Sequence, residues 1–349
     1  MELFTRVNIP ASSIRIDYTS RIAFFGSCFA ENIASKFTGL GFRTLVNPLG
    51  IIYNPLSIEQ TVEAVAGEGY NRTASEDCGT NLNCTDRVFF DGEKWSSWDA
   101  HGSLSTTTRD ECIARLERAR NRAREFLKTA DVVFITLGSA YVYFLKEDGR
   151  AVANCHRQNT DLFERRLITV DEATAAMENT LAKLKSINPK MHVVFTVSPL
   201  RHMGDGAHGN TLSKATLQLA VNNVINKVTT VPSASSGTLP VSYFPSYEIV
   251  MDELRDYRFY ANDMIHLSAT AEDYIFERMQ QTYFDEATIA NTKRVEKFMK
   301  AASHRIVNDG SAKAVEFANK YLAEAERLEA EIPELDLGRE KESFKKILG

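Results

Sequence analysis

Residues 21–41 read Arg21-Ile22-Ala23-Phe24-Phe25-Gly26-Ser27-Cys28-Phe29-Ala30-Glu31-Asn32-Ile33-Ala34-Ser35-Lys36-Phe37-Thr38-Gly39-Leu40-Gly41. Ile22, Ala23, Phe24 and Phe25 form a continuous apolar run, the pattern of a strand buried on both faces of a parallel sheet. Gly26 ends it. Beyond Cys28 the apolar residues Phe29, Ile33, Phe37 and Leu40 fall on one helical stripe, which Gly39 and Gly41 stop. The same alternation continues along the chain. Apolar segments at 42–46, 131–136, 191–197 and 241–244 alternate with amphipathic ones at 109–128, 169–187 and 213–228. This predicts an α/β fold in which helices cover a parallel sheet. A further helix is expected after Thr270, with Thr270 and Asp273 as its capping box.

The chain has 349 residues, 44% of them hydrophobic, with 41 Lys plus Arg against 46 Asp plus Glu for a net charge of −5. Such a balance gives no basic footprint, so neither nucleic acid nor an anionic membrane is an expected partner. No apolar run reaches the roughly 18 residues of a membrane helix, and the start lacks the pattern of a secretory signal. A cytoplasmic location is expected. The 5 cysteines, an odd number spread thinly, argue for reduced thiols, although Cys78 and Cys84 are near enough for a loop bridge.

Two irregular excursions, 67–108 and 145–166, interrupt the α/β pattern as insertions in a domain spanning 1–284. Residues 285–349 shift to Ala, Glu, Lys and Arg at helical spacing and read as a helical extension. Amphipathic helices need a surface for their apolar stripe, so oligomerisation through this extension is an expectation.

Ser27 falls where the first strand turns into the first helix, at the carboxyl edge of the sheet where ligands bind in open α/β folds. A hydroxyl there is a candidate nucleophile, although the commonest duty of such a serine is to cap the helix. Further along, Asp263 precedes His266 by three residues. That spacing lets the carboxylate hold one ring nitrogen and leaves the other free to take a proton from a hydroxyl.

A serine after the first strand combined with Asp-x-x-His before the last helix resembles the SGNH (GDSL-like) hydrolase superfamily. The run Gly26-Ser27-Cys28-Phe29-Ala30 reads letter for letter as the signature of the GSCFA family. The similarity continues at Asn47-Pro48-Leu49-Gly50, Tyr53-Asn54-Pro55, Thr136-Leu137-Gly138-Ser139-Ala140, Asn154-Cys155-His156, Ser198-Pro199-Leu200-Arg201-His202 and Asp263-Met264-Ile265-His266. The resemblance implies a three-layer sandwich with a parallel sheet, Ser27 as nucleophile, His266 as general base and Asp263 as its orienting carboxylate. It implies no cofactor and no substrate. The chain departs from the wider superfamily in two places: Gly26 replaces the acid before the serine, and Gly138 is followed by Ser139, Ala140 and Tyr141 where Gly-x-Asn-Asp is usual.

Without that asparagine the oxyanion donors must be found elsewhere. The amides of Ser27 and Gly50 are candidates, with Asn154 the preferred third donor and Asn47, Ser139 and Asn54 the alternatives. The asparagines before Pro48 and Pro55 also fit plain turn chemistry. Cys28, Cys155, His101, His156 and His202 lack the spacing of a zinc site, so no metal is expected. Cys28 could itself be the nucleophile at a helix amino terminus, against the ordinary case of a buried thiol. Trp95, Trp98 and His101 could stack on a sugar ring or merely pin a loop, and His202 could line the pocket or bond to backbone. The polar excursions favour a short O-acyl ester of a small or carbohydrate alcohol over a lipid. The expected activity is a serine esterase, with an acyltransferase or a silent glycan- or protein-binding module as alternatives.

Overall fold

The computed structural model describes residues 5–67, 87–230, 239–303 and 311–348. Cys78 and Cys84, with most of the first half of the 67–108 excursion, lie outside them. In chain order the elements are β1 (Arg21–Gly26), α1 (Cys28–Gly39), β2 (Arg43–Val46), α2 (Pro55–Ala66), β3 (Val88–Phe90), β4 (Trp95–Ser97), α3 (Arg109–Leu127), β5 (Val132–Leu137), β6 (Tyr141–Leu145) and β7 (Phe163–Leu167). There follow α4 (Val170–Ile187), β8 (His192–Val197), α5 (Gly206–Thr230), β9 (Val241–Tyr243), the short α6 (Ser246–Glu248), α7 (Ala269–Tyr283), α8 (Glu286–Ala302), α9 (Ala312–Glu331) and α10 (Gly338–Leu348).

The expected three-layer α/β architecture is present. Five parallel strands run in the order β2-β1-β5-β8-β9. Residues alternate between the layers. Ile22, Phe24, Phe134 and Val194 face α1, α7 and the carboxyl-terminal helices, while Ala23, Phe25, Ile135 and Phe195 face α2, α3, α4 and α5. Phe24 stacks on Phe134, Phe37 lies tilted against both, and all three are almost wholly buried, each side chain contributing roughly 1.5–3 kcal/mol. Because β2 and β5 lie on opposite sides of β1, the connections reverse direction between β1 and β5. That reversal opens a crevice at the carboxyl ends of those two strands.

Two expectations change. The helix after His266 begins at Ala269 with Ser268 as its cap, the Ser268 hydroxyl accepting from the Ala271 amide at 3.3 Å, so Thr270 lies inside the helix and Thr270–Asp273 is not the capping box. The 145–166 excursion is not wholly irregular, since β7 returns antiparallel on β6. The extension does not stand apart. Phe298, Ala318, Ala325, Leu328 and Phe344 belong to the same apolar core as Phe37, Phe42 and Phe284 of the α/β body.

Candidate active site

Gly26 makes the turn at the end of β1. Its φ is +143°, and a Cβ there would lie 2.3 Å from the Thr136 carbonyl oxygen, so only glycine lets β1 and β5 approach this closely. Asn47 braces the turn: its Oδ1 accepts from the Gly26 amide at 2.9 Å and its Nδ2 donates to Glu31 at 3.2 Å. Ser27 therefore enters α1 in a fixed extended conformation. It occupies the cap position, yet its side chain makes no cap hydrogen bond. Its Oγ is buried and has no hydrogen-bond partner. A buried hydroxyl without a partner is unfavourable for stability, and that sets Ser27 apart from the ordinary capping serine.

Asp263 and His266 meet as their spacing suggests. Asp263 Oδ2 lies 2.6 Å from His266 Nδ1, while Oδ1 accepts from the amides of Ile265 and His266, both at 2.9 Å. The bond to the His266 ring, with those two amides, holds the Asp263 carboxyl down at about 2. An ionised carboxylate can only accept, so Nδ1 carries the proton and Nε2 of a neutral ring is the free acceptor. Both side chains are half exposed, and no hydrogen bond joins His266 to Ser27.

The amides considered for the oxyanion are engaged. Ser27 donates to the Thr136 carbonyl at 3.3 Å and Gly50 to the Asn47 carbonyl at 2.7 Å. Gly50 also needs its positive φ of +85°, with the His101 Cβ in the place of its own. Gly138 lies beneath the Tyr53 ring and donates its amide to the Tyr53 carbonyl at 2.8 Å. Ser139 is buried, its Oγ 3.2 Å from the Ser213 hydroxyl and accepting from the Tyr141 amide at 3.0 Å.

A model described as "GSCFA family" matches residues 21–279, and one described as "GSCFA domain protein, C-terminal domain" matches residues 295–348. The chain belongs to the GSCFA family. A carbohydrate esterase family 3 structure from Talaromyces cellulolyticus is similar at 10% identity, with a TM-score of 0.33 over 78% of this chain and 98% of that one. An acetyl xylan esterase from the rumen bacterium Butyrivibrio proteoclasticus is similar at 12% identity, with a TM-score of 0.36 over 79% of this chain and 64% of that one. No curated protein matches the chain.

The remaining candidates in this GSCFA protein divide between the crevice and the loops. His202 follows β8, lies tilted against the Tyr53 ring at 5.2 Å between ring centres, and is pushed down to about 4 by burial, with the charges of Lys214, Arg165 and His266 adding to the effect against Asp205. It is neutral near neutral pH. His101 turns inward on its own loop, its Nδ1 3.1 Å from the Ser103 hydroxyl. Asn154 Oδ1 accepts from the His156 amide at 2.7 Å, which leaves its Nδ2 as the group able to serve an oxyanion. Asn54 is a helix cap: its Oδ1 accepts from the Ser57 amide at 2.9 Å and Pro55 opens α2.

The sugar-stacking expectation for Trp98 is not met. The ring is 8% exposed, stacked on Phe89 at 3.6 Å and meeting Phe163 edge-on, so it pins the two small hairpins together. Trp95 lies against Phe90. Cys28 is partly buried, and burial raises its pKa despite the nearby amides of Phe29 and Cys28, which removes the activation a nucleophilic thiol would need. No cluster of metal-ligating side chains occurs among the described residues, and none of the described helices is long and apolar enough to cross a membrane.

Sequence reasoning passed over Lys214 and the Tyr141–Tyr143–Arg165 group. Arg165 lies over both tyrosine rings, at 4.5 and 5.0 Å, and pairs with Asp205. Lys214 is buried on α5, where Leu217 and Val221 share its stripe. A lysine at i with apolar residues at i+3 and i+7 was the available signal.

Proposed function

We propose that this GSCFA protein is a serine hydrolase of the SGNH type that cleaves short O-acyl esters of a polar or carbohydrate alcohol. One observation supports the reading above the rest: the Ser27 hydroxyl sits at a helix cap, buried at the strand edge, and makes no cap bond. The Asp263–His266 pair, with Nδ1 held and Nε2 free, supplies the matching base.

In this reading the Ser27 Oγ forms a bond to the acyl carbon, the carbonyl electron pair moves onto its oxygen, and the hydroxyl proton passes to His266 Nε2. Collapse of the adduct expels the alcohol oxygen, which takes that proton, and leaves an acyl-enzyme on Ser27. Water then repeats the sequence to release the acid. An acceptor alcohol in place of water would make the same machinery an acyltransferase. The polar groups beside the site, Tyr53 and His202, suit short acyl groups.

A fluorophosphonate probe tests the reading. It should label the intact chain at Ser27 and fail to label Ser27→Ala, and hydrolysis of aryl esters should fall steeply from butyryl to octanoyl. An unlabelled parent chain would point to a silent binding module, and a preference for octanoyl or longer esters would overturn the short-acyl assignment.

A further inference from the structure

Lys214 takes no part in the steps above. Its residue is 2% exposed, and its ammonium donates to the carbonyls of Gly138 at 2.5 Å and Ser198 at 2.7 Å, the first groups beyond β5 and β8. Among the described residues no carboxylate pairs with it. Two carbonyls would be equally well served by a neutral amide, without the large desolvation cost of a buried ammonium. The charge itself therefore needs an explanation, and its location offers one.

Gly138 lies at the carboxyl end of β5, two residues beyond Thr136 and so beside the turn that carries Ser27. The Ser27 amide bonds to the Thr136 carbonyl, and Thr136 pairs with Gly26 across the strands. Ser213, next to Lys214 on α5, holds the following residues: its hydroxyl accepts from the Ala140 amide at 2.8 Å and meets that of Ser139. Two consecutive residues of α5 thus grip the end of β5, where the superfamily asparagine is missing. The amides of Ser27 and Gly50 are meanwhile engaged elsewhere.

We infer that Lys214 is a positioning residue for acyl transfer, fixing the carbonyl ends of β5 and β8 and setting a positive charge beneath the crevice where the acyl oxygen becomes negative. The inference rests on the reading of Ser27 as nucleophile. In a site of low effective dielectric such a charge acts strongly over several ångströms. The titratable groups facing Lys214 are Cys28 from α1 and His202 from the loop after β8, and His202 is in turn flanked by Asp205, Arg165 and His266. Burial brings the amine down to about 7, so its charge is present on the acid side of neutrality and lost on the alkaline side.

The test is the rate of fluorophosphonate labelling of the intact chain, followed from about pH 5 to about pH 10, with thermal melts to establish that each variant is folded. Parental labelling should fall on the alkaline side as Lys214 loses its proton. Lys214→Arg should keep the charge, label at a comparable rate and lack that alkaline fall. Lys214→Met and Lys214→Gln should label about tenfold or more slowly below neutrality, also without the fall. The glutamine keeps a donor for the two carbonyls and carries the test if the methionine variant does not fold. Parental rates in both neutral variants, or an unchanged alkaline fall in Lys214→Arg, would overturn the inference while Ser27 remains the nucleophile. A parent that does not label overturns the reading of Ser27, and the inference with it.

Discussion

Arg278 and Lys214 are both buried cations, and the chain treats them differently. Arg278 lies 3.3 Å from Glu253, whose side chain is fully buried and also accepts from the Val7 amide and the Tyr274 hydroxyl, while Arg278 itself donates to the Val7 carbonyl. The charge there is matched, and the pair ties the amino-terminal segment to α7. Arg87, between the hairpins, is likewise matched by Asp99 and Asp148. Lys214 has two carbonyls and, among the described residues, no counter-charge. A matched charge stabilises a scaffold locally and has little field left over, whereas an unmatched one is costly to hold and acts on whatever enters the crevice. The same contrast separates capping serines such as Ser268, whose hydroxyl is bonded, from Ser27, whose hydroxyl is not.

The largest expected effect tests the strand edge directly. Ser27→Ala should abolish fluorophosphonate labelling and lower ester turnover by about three orders of magnitude or more. Its melting temperature should stay level or rise slightly, because the change removes a buried hydroxyl that bonds to nothing. A clear fall in melting temperature would mean that Ser27 is structural after all. Arg278→Met should behave in the opposite way. Leaving the buried Glu253 carboxylate without its counter-charge, held only by the Val7 amide and the Tyr274 hydroxyl, should cost about 3–5 kcal/mol in denaturant unfolding while Ser27 still labels at the parental rate. Loss of labelling in folded Arg278→Met would erase the distinction between scaffold and site.

The parts of this arrangement that were legible in the sequence are local ones. The run from Ile22 to Phe25 with the stripe Phe29, Ile33 and Phe37 announced β1 and α1, because burial on both faces and on one face leave different periodicities. Asp263 and His266 were legible for the same reason, as both hydrogen bonds of the pair span three residues. What was hidden depends on partners far away in the chain. Lys214 reaches carbonyls 76 and 16 residues distant, and nothing in its neighbours names them. Trp98 looked free to stack on a ligand because the rings that enclose it, Phe89 and Phe163, come from different hairpins. The return of β7 on β6 was masked by the polar residues between them. The first turns of α5, Gly206 to Leu212, carry Gly, His and Asn in place of an amphipathic stripe, so the sequence pattern marks the helix only from Ser213 while the structure begins it at Gly206.

A smaller effect concerns the stability cost of Lys214. Its amine titrates at about 7 in the fold against 10.5 when exposed. Between those values the unfolded chain holds a proton that the folded chain does not, so the contribution of Lys214 to stability is least favourable below pH 7 and improves as the pH rises. Unfolding free energies of the parent and of Lys214→Met, compared at about pH 6.5 and about pH 9, should therefore shift in favour of the parent by about 2 kcal/mol. Subtracting the variant removes the titration of all other groups. A flat difference would mean that the charge of Lys214 is compensated, as that of Arg278 is.

The smallest effect belongs to Asn47, which joins the two kinds of region by bracing the turn beside Ser27. Its backbone is left-handed, with φ at +37°, a conformation that asparagine tolerates better than alanine does. Its Oδ1 takes the Gly26 amide, which would otherwise be buried without a partner. Asn47→Ala should lose about 1–2 kcal/mol of stability from the backbone strain and the orphaned amide together. Labelling of Ser27 should slow by about tenfold at most, since the residue acts through the position of the turn. Asn47→Asp keeps the acceptor for Gly26 but turns a second oxygen toward Glu31, 3.2 Å from the present Nδ2. It should restore the labelling rate more fully than the stability, because the turn is held while two carboxylates repel each other. If the aspartate recovers stability and not rate, Asn47 braces the scaffold alone, and the geometry of Ser27 must be set by Gly26 and Thr136.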